Sequence, residues 1–191
     1  ESAKYIIEII QKIETLLAAD RFPNSEGIAL EYTKCLVNLT AVQESAKEIK
    51  ETVQKIEGLL VADKFPESEE IAFRYSQGLF NLTSRQKSAK ERKETVQKIE
   101  ALLAIDRFPK SEGIALLYSQ SLVSLTGIQE SAKEREETVQ KIEALLEEDR
   151  FLKSEEITLR YAQGLVNLTV VQKSAKAREE TVQRIKSLLE E

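Results

Sequence analysis

Residues 88–106 read SAKERKETVQKIEALLAID, and the Ser-Ala-Lys that opens them stands also at Ser2, Ser45, Ser131 and Ser174. Successive copies lie 43 residues apart, with no insertion or deletion between them. A fixed period of this length decides the architecture before local propensities are consulted, because a unit that cannot bury its apolar face alone must stack on its neighbours. The 191 residues divide into units 1–43, 44–86, 87–129 and 130–172 and a half unit at 173–191, all within one domain.

Each unit carries two helical patterns. In the quoted stretch Val96, Ile99, Leu102 and Leu103 fall on one helical face, as an amphipathic helix requires. Ser88 with Glu91 has the spacing of a capping box, repeated by Ser45 with Glu48 and Ser131 with Glu134. Glu51 with Lys55, Glu94 with Lys98 and Glu137 with Lys141 stand four apart and predict ion pairs on the exposed side. The second pattern opens at Ser25, Ser68, Ser111 and Ser154, each followed by Glu, which suits the positive end of a helix. Ile71, Tyr75, Leu79 and Leu82 form its apolar stripe, and Ile114, Tyr118, Leu122 and Leu125 repeat it.

Two boundaries need argument. Asp20, Asp63, Asp106 and Asp149 mark the turn inside each unit, where Pro23, Pro66 and Pro109 stop the first helix and Leu152 replaces the last Pro, predicting a less defined turn there. Between units no Gly or Pro lies within 172–177, and an apolar spacing of seven runs from Tyr161 to Leu189, so one long helix competes with two. The Ser cap signals, and Arg92, Arg135 and Arg178 interrupting the seam, favour a break, giving nine helices. Cys35, Gly78, Ser121 and Gly164 form a column of small residues that predicts close helix approach, as do Ala29, Ala72, Ala115 and Thr158. Phe22, Phe65, Phe108 and Phe151 are expected to wedge beneath the turns.

Composition excludes several kinds of chemistry. The chain has no His, Met or Trp and a single Cys, which removes imidazole acid-base catalysis, His/Cys zinc sites and internal disulfides. No Gly-rich phosphate loop, nucleophile elbow or Cys-x-x-Cys occurs. The aspartates recur once per unit, where catalytic groups would converge, so the chain reads as non-enzymatic, without metal or cofactor. The cluster Arg85, Lys87, Lys90, Arg92 and Lys93 is diluted by glutamates, and the net charge of −5 argues against nucleic acid. No run of 18 apolar residues or signal-peptide order is present, so the expected setting is cytoplasmic, off the membrane. A chain without methionine reads as processed or as an excerpt.

The stretch LVNLTVVQ at Leu165–Gln172, followed by a helix carrying Thr181, Val182, Ile185, Leu188 and Leu189, resembles the helix A, turn, helix B of tetratricopeptide repeats. It departs from that family in its period of 43 rather than about 34, and in Thr40, Thr83, Thr126 and Thr169 and Thr52, Thr95, Thr138 and Thr181 where the family has small residues. The segment ITLRYAQGLVNLT at Ile157–Thr169 also resembles the last helix of an armadillo or HEAT repeat. Both resemblances imply an all-α, right-handed α-solenoid that binds proteins or peptides, with the helices carrying the Tyr and Asn columns lining its concave face.

Two candidate surfaces follow. Asn38, Asn81 and Asn167, with Ser124 as the missing rung, recur in mid-helix although Asn is a poor helix former. Such a ladder bonds a neighbouring helix or faces water, or else holds a peptide backbone, and the resemblance places it in the groove; Asn-Leu-Thr also fits the glycosylation sequon, which a helical, half-buried setting disfavours. Lys34, Gln77, Gln120 and Gln163 lie one turn earlier on the same face. Gln43, Gln86, Gln129 and Gln172 sit at the turns and are expected to cap helix ends. The second surface is the first helix, where Tyr5, Ile6, Ile7, Ile9 and Ile10 replace the charged EIKETV-type sequence of later units. An end unit should be polar outside, so these residues predict a covering element or homo-oligomerisation. A structural spacer or oligomerisation module is thus the alternative to a peptide-binding scaffold.

Overall fold

A computed structural model describes residues 2–18, 25–61, 65–104, 107–148 and 151–188. Those residues form nine helices and no strand: α1 (Ser2–Ala18), α2 (Glu26–Val42), α3 (Ala46–Val61), α4 (Glu69–Arg85), α5 (Ala89–Leu102), α6 (Glu112–Thr126), α7 (Ala132–Glu147), α8 (Glu155–Val171) and α9 (Ala175–Ser187). The protein is all-α. Each helix packs against the next in sequence, and α2, α4, α6 and α8 also pack on one another in order. Among the described residues no odd-numbered helix packs its backbone against another odd-numbered one.

The stripes predicted from spacing form the core. Val96, Ile99 and Leu102 of α5, and Ile71, Tyr75, Leu79 and Leu82 of α4, are buried together with their counterparts in neighbouring units. Gly78 and Gly164 mark close approach as expected. A Cβ at Gly78 would lie 3.0 Å from Val53 Cγ2, and one at Gly164 would lie 3.2 Å from Val139 Cγ2. Ala29, Ala72 and Ala115 are fully buried, whereas Thr158 is partly exposed. Phe108 and Phe151 are buried and Phe65 packs against the core.

The helix ends are built partly as expected. Ser25, Ser68 and Ser154 accept from the backbone N–H of Ile28, Ile71 and Ile157. Ser88 and Ser131 occupy N-cap positions without a side-chain bond, so the predicted reciprocal capping box does not form there. What marks those ends instead is a clamp across the turn, described below. Units are joined by a break, with α8 ending at Val171 and α9 starting at Ala175, so the single long helix is excluded. The turn without proline shares one bond with the others, Ser154 N–H donating to Phe151 O at 3.0 Å as Ser68 and Ser111 do to Phe65 and Phe108 at 3.2 Å, but differs in a second: Phe151 N–H donates to Glu148 O, whereas Phe65 and Phe108 donate to Leu59 O and Leu102 O. Phe22, Pro23 and the four aspartates lie outside the described residues.

Candidate functional site

Three sets of contacts join the units and fix which side chains stay available. The first is a ladder of Tyr, Glu and Lys. Glu14 accepts from Tyr32 at 2.7 Å and from Lys55 of the next unit at 2.8 Å, and Glu57 accepts from Tyr75 and Lys98 at the same distances. Lys141 donates to Glu100 at 2.7 Å, and Glu143 accepts from Tyr161 and Arg184. The i,i+4 pairs expected for Lys55, Lys98 and Lys141 are therefore replaced by pairs 41 residues apart. The helix surface offers two carboxylates per lysine, and the one on the neighbouring odd helix is pre-positioned by a buried tyrosine hydroxyl. Hydrogen bonds from Lys55 and Tyr32 hold the Glu14 carboxyl below its usual range. Burial would raise Glu57, but the bonds from Lys98 and Tyr75 outweigh it and leave it lowered. Burial, then the bond to Glu143, pushes the Tyr161 hydroxyl up to about 12.

The second set closes each inter-unit turn. The Gln86 amide and the Thr95 hydroxyl bond each other at 3.0 Å, and Gln129 with Thr138 and Gln172 with Thr181 repeat this at 3.0 and 2.9 Å. Gln43 and Gln86 also cap α2 and α4 through their backbone N–H, so the expected capping role is joined by a side-chain clamp. The threonines that depart from the tetratricopeptide pattern supply that clamp. Arg92 Nε donates to Gln86 O at 2.8 Å while its Nη1 reaches Ser124 O at 2.7 Å. Arg135 joins Gln129 O to Asn167 O in the same manner. A guanidinium at carbonyls that end a helix is electrostatically favourable, and burial lowers the pKa of both arginines.

The third set is the Asn column. Asn81 Nδ2 donates to Thr40 Oγ1 of the preceding unit at 2.8 Å, and Asn167 Nδ2 donates to Thr126 Oγ1 at 2.9 Å. Asn38 is exposed and makes no hydrogen bond among the described residues. Ser124 accepts from Arg92 Nη1 at 2.8 Å. Asn167 Nδ2 also donates to Val123 O at 3.4 Å, so two of the four candidate rungs tie helix to helix through their amide nitrogens, leaving each Oδ1 without a bond among the described residues. The Gln row is also engaged in part: Gln77 accepts from Arg74 at 3.0 Å and Gln163 from Arg160 at 2.9 Å, while Lys34 pairs with Glu31 at 2.7 Å. Gln120 makes no hydrogen bond among the described residues.

Between these rows lies a groove of about 480 Å3 across α4, α6 and α8, lined by Phe80, Ser84, Gln120, Val123, Ser124, Arg160 and Gln163. It brings together Gln120, Gln163 and Ser124 of the predicted set. It adds Phe80, Ser84, Val123 and Arg160, which sequence reasoning passed over. The signal for Phe80 and Val123 was the column Val37, Phe80, Val123 and Val166, apolar in every unit and directly before the Asn column.

The N-terminal candidates separate by side. Ile10 is buried and Ile6 packs on the core, whereas Tyr5 is 67% and Ile7 is 42% exposed. Leu16 is 50% exposed, although Leu59, Leu102 and Leu145 in the same register are 8%, 2% and 6% exposed. The helices that carry those three also pack against the even helix of the unit before, a neighbour that α1 lacks among the described residues.

Among the described residues no cluster of three His, Cys, Asp or Glu could hold a metal ion, and no helix is long and apolar enough to cross a membrane. No protein-family model matches the chain, and no curated protein or solved structure is significantly similar to it.

Proposed function

We propose that the chain is a non-enzymatic scaffold that holds a protein or peptide segment along the face formed by α2, α4, α6 and α8. The observation that carries this is the groove across α4, α6 and α8, where Phe80 and Val123 stand partly exposed between polar side chains that both donate and accept. Apolar contact supplies affinity, and a few placed amides and hydroxyls orient a backbone. The packing supports the concave assignment. Among the described residues the backbones of even helices pack together and those of odd helices do not, so the even side spans the shorter arc of an α-solenoid, in keeping with the right-handed stacks that the resemblance implies.

Selection from a random peptide library tests this reading, run on the wild type and on Val123→Glu after circular dichroism shows both folded. A motif enriched by the wild type and lost in the variant is expected. No enrichment, or enrichment that ignores the variant, would refute the groove.

A second reading, self-association through α1, is favoured by the exposure of Tyr5, in a register that carries the exposed Glu48, Glu91 and Glu134 in later units, and of Leu16, in a register that is buried there. Light scattering on the wild type and on the Tyr5→Ser, Leu16→Glu double variant distinguishes it, because only an α1 interface predicts a wild-type oligomer that the variant dissociates.

A further inference from the structure

Resting on the groove reading above, we infer that its ligand presents a carboxylate, which Arg160 receives while a neighbouring apolar side chain sits against Phe80 and Val123. The comparison of two arginines in the same register leads to this. Arg74 of α4 is answered within its own helix: its Nη2 meets Glu70 at 2.6 Å, its Nη1 meets Gln77 at 3.0 Å, and the group stands 5.4 Å over the Phe73 ring. Arg160 of α8 has the same glutamine, Gln163 at 2.9 Å, and nothing else. Glu156 occupies the register of Glu70 yet forms no ion pair with Arg160, and no other carboxylate pairs with it among the described residues. Its Nη2 makes no hydrogen bond among the described residues. Its Nε is buried without a partner, a feature it shares with Arg74.

Arg160 is also placed differently. It lines the groove, and none of the other six lining residues is charged. In a chain of net charge −5, one unanswered guanidinium therefore faces an uncharged, partly apolar trough. A guanidinium binds carboxylate through paired, charge-assisted hydrogen bonds, and both groups lose less to water screening in a half-enclosed groove than on open surface. Ser84, Ser124 and Gln120 line the same trough, and Gln120, which makes no hydrogen bond among the described residues, can both donate to and accept from the adjoining peptide backbone. The carboxylate can come from an Asp or Glu side chain or from a chain terminus.

Arrays of nonapeptides attached by their N-termini separate these sources. One set is C-terminally amidated with Glu or Asp fixed at the centre, a second carries Gln or Asn there, and a third has a free C-terminal carboxylate and no internal acid. Half-saturating concentrations are read with labelled wild type, Arg160→Leu, Arg160→Gln and Arg74→Leu, each with its melting temperature. A carboxylate-bearing set should bind the wild type and Arg74→Leu about tenfold more tightly than the amide set, as one charge-assisted contact implies. The advantage should vanish in both Arg160 variants, at least one of which keeps the wild-type melting temperature. Equal binding of acid and amide sets, or an advantage that survives the loss of Arg160, overturns the carboxylate assignment while the groove stands. Binding by no set overturns the groove reading together with it.

Discussion

Asn38, Asn81 and Asn167 are the same residue at the same register, yet the structure predicts different responses to alanine. Asn81 donates to Thr40, whose hydroxyl is committed to Val37 O at 2.6 Å and whose side chain is 1% exposed, so Asn81→Ala removes the donor from a buried acceptor. A neutral hydrogen bond of this kind contributes about 1 kcal/mol, and leaving a buried group unpaired raises the cost toward about 1.5 kcal/mol. Alanine is the better helix former by about 0.6 kcal/mol, which offsets part of that loss. Asn38 has the propensity gain and no bond to lose. Asn38→Ala should therefore stabilise by about 0.5 kcal/mol, and Asn81→Ala and Asn167→Ala should destabilise by about 0.5–1 kcal/mol. The gap between them, about 1 kcal/mol, corresponds to roughly 2–4 °C in melting temperature for a chain of this size. Thermal and urea unfolding followed by far-ultraviolet circular dichroism measures it, and a double-mutant cycle of Asn81→Ala with Thr40→Val assigns the coupling to the pair. Equal shifts at Asn38 and Asn81, or a coupling energy near zero, would refute the inter-unit rung.

Leu102→Ala, at a fully packed site, should cost about 2–5 kcal/mol, while Leu16→Ala, at the open end, should cost less than about 1 kcal/mol; urea unfolding of both variants checks the contrast. Gly164→Val should overpack against Val139 and Ile142 and cost about 1–3 kcal/mol. Gly27→Ala, where the added methyl meets nothing within 4 Å, should gain about 0.5–1 kcal/mol in the same assay. Glu14 and Glu57 have folded pKa values below their unfolded ones, so the stability they contribute is complete above the ordinary carboxylate range and is lost as pH falls through the folded values. Lys98→Met removes the main cause at Glu57 and should move acid unfolding, followed by circular dichroism, to higher pH.

What the sequence made legible follows its period. Helix number, the break between units, the buried stripes and the tight approach at Gly78 and Gly164 were readable because each depends on neighbours within a helix or on a column repeated every 43 residues. The failures share another cause. Glu51–Lys55 and its copies were assigned by helix geometry alone, but stacking brings Glu14, Glu57 and Glu100 opposite the lysines 41 positions later. The capping boxes failed similarly, since Gln86 and Thr95, nine residues apart across a turn, organise the helix start that Ser88 and Glu91 were expected to hold. Within the candidate site, Gln120, Gln163 and Ser124 were found by their column. Arg160 was not, because its interest lies in lacking the carboxylate that Arg74 has, and a missing contact has no signature in a periodic pattern.

The unequal joining of the two layers also has a mechanical meaning. Even helices meet through packed side chains that resist separation, whereas odd helices are tethered across units by Lys–Glu pairs at half-exposed positions, each contributing no more than about 1 kcal/mol. Between odd helices, bending that spreads the odd side stretches these side-chain tethers, whereas bending that spreads the even side must tear a close-packed layer. With the even layer on the concave side, as proposed above, the stack would act as a one-sided spring, stiff against straightening and compliant toward tighter curl. Because its weak side is electrostatic, added salt should lower its stiffness without loosening its core.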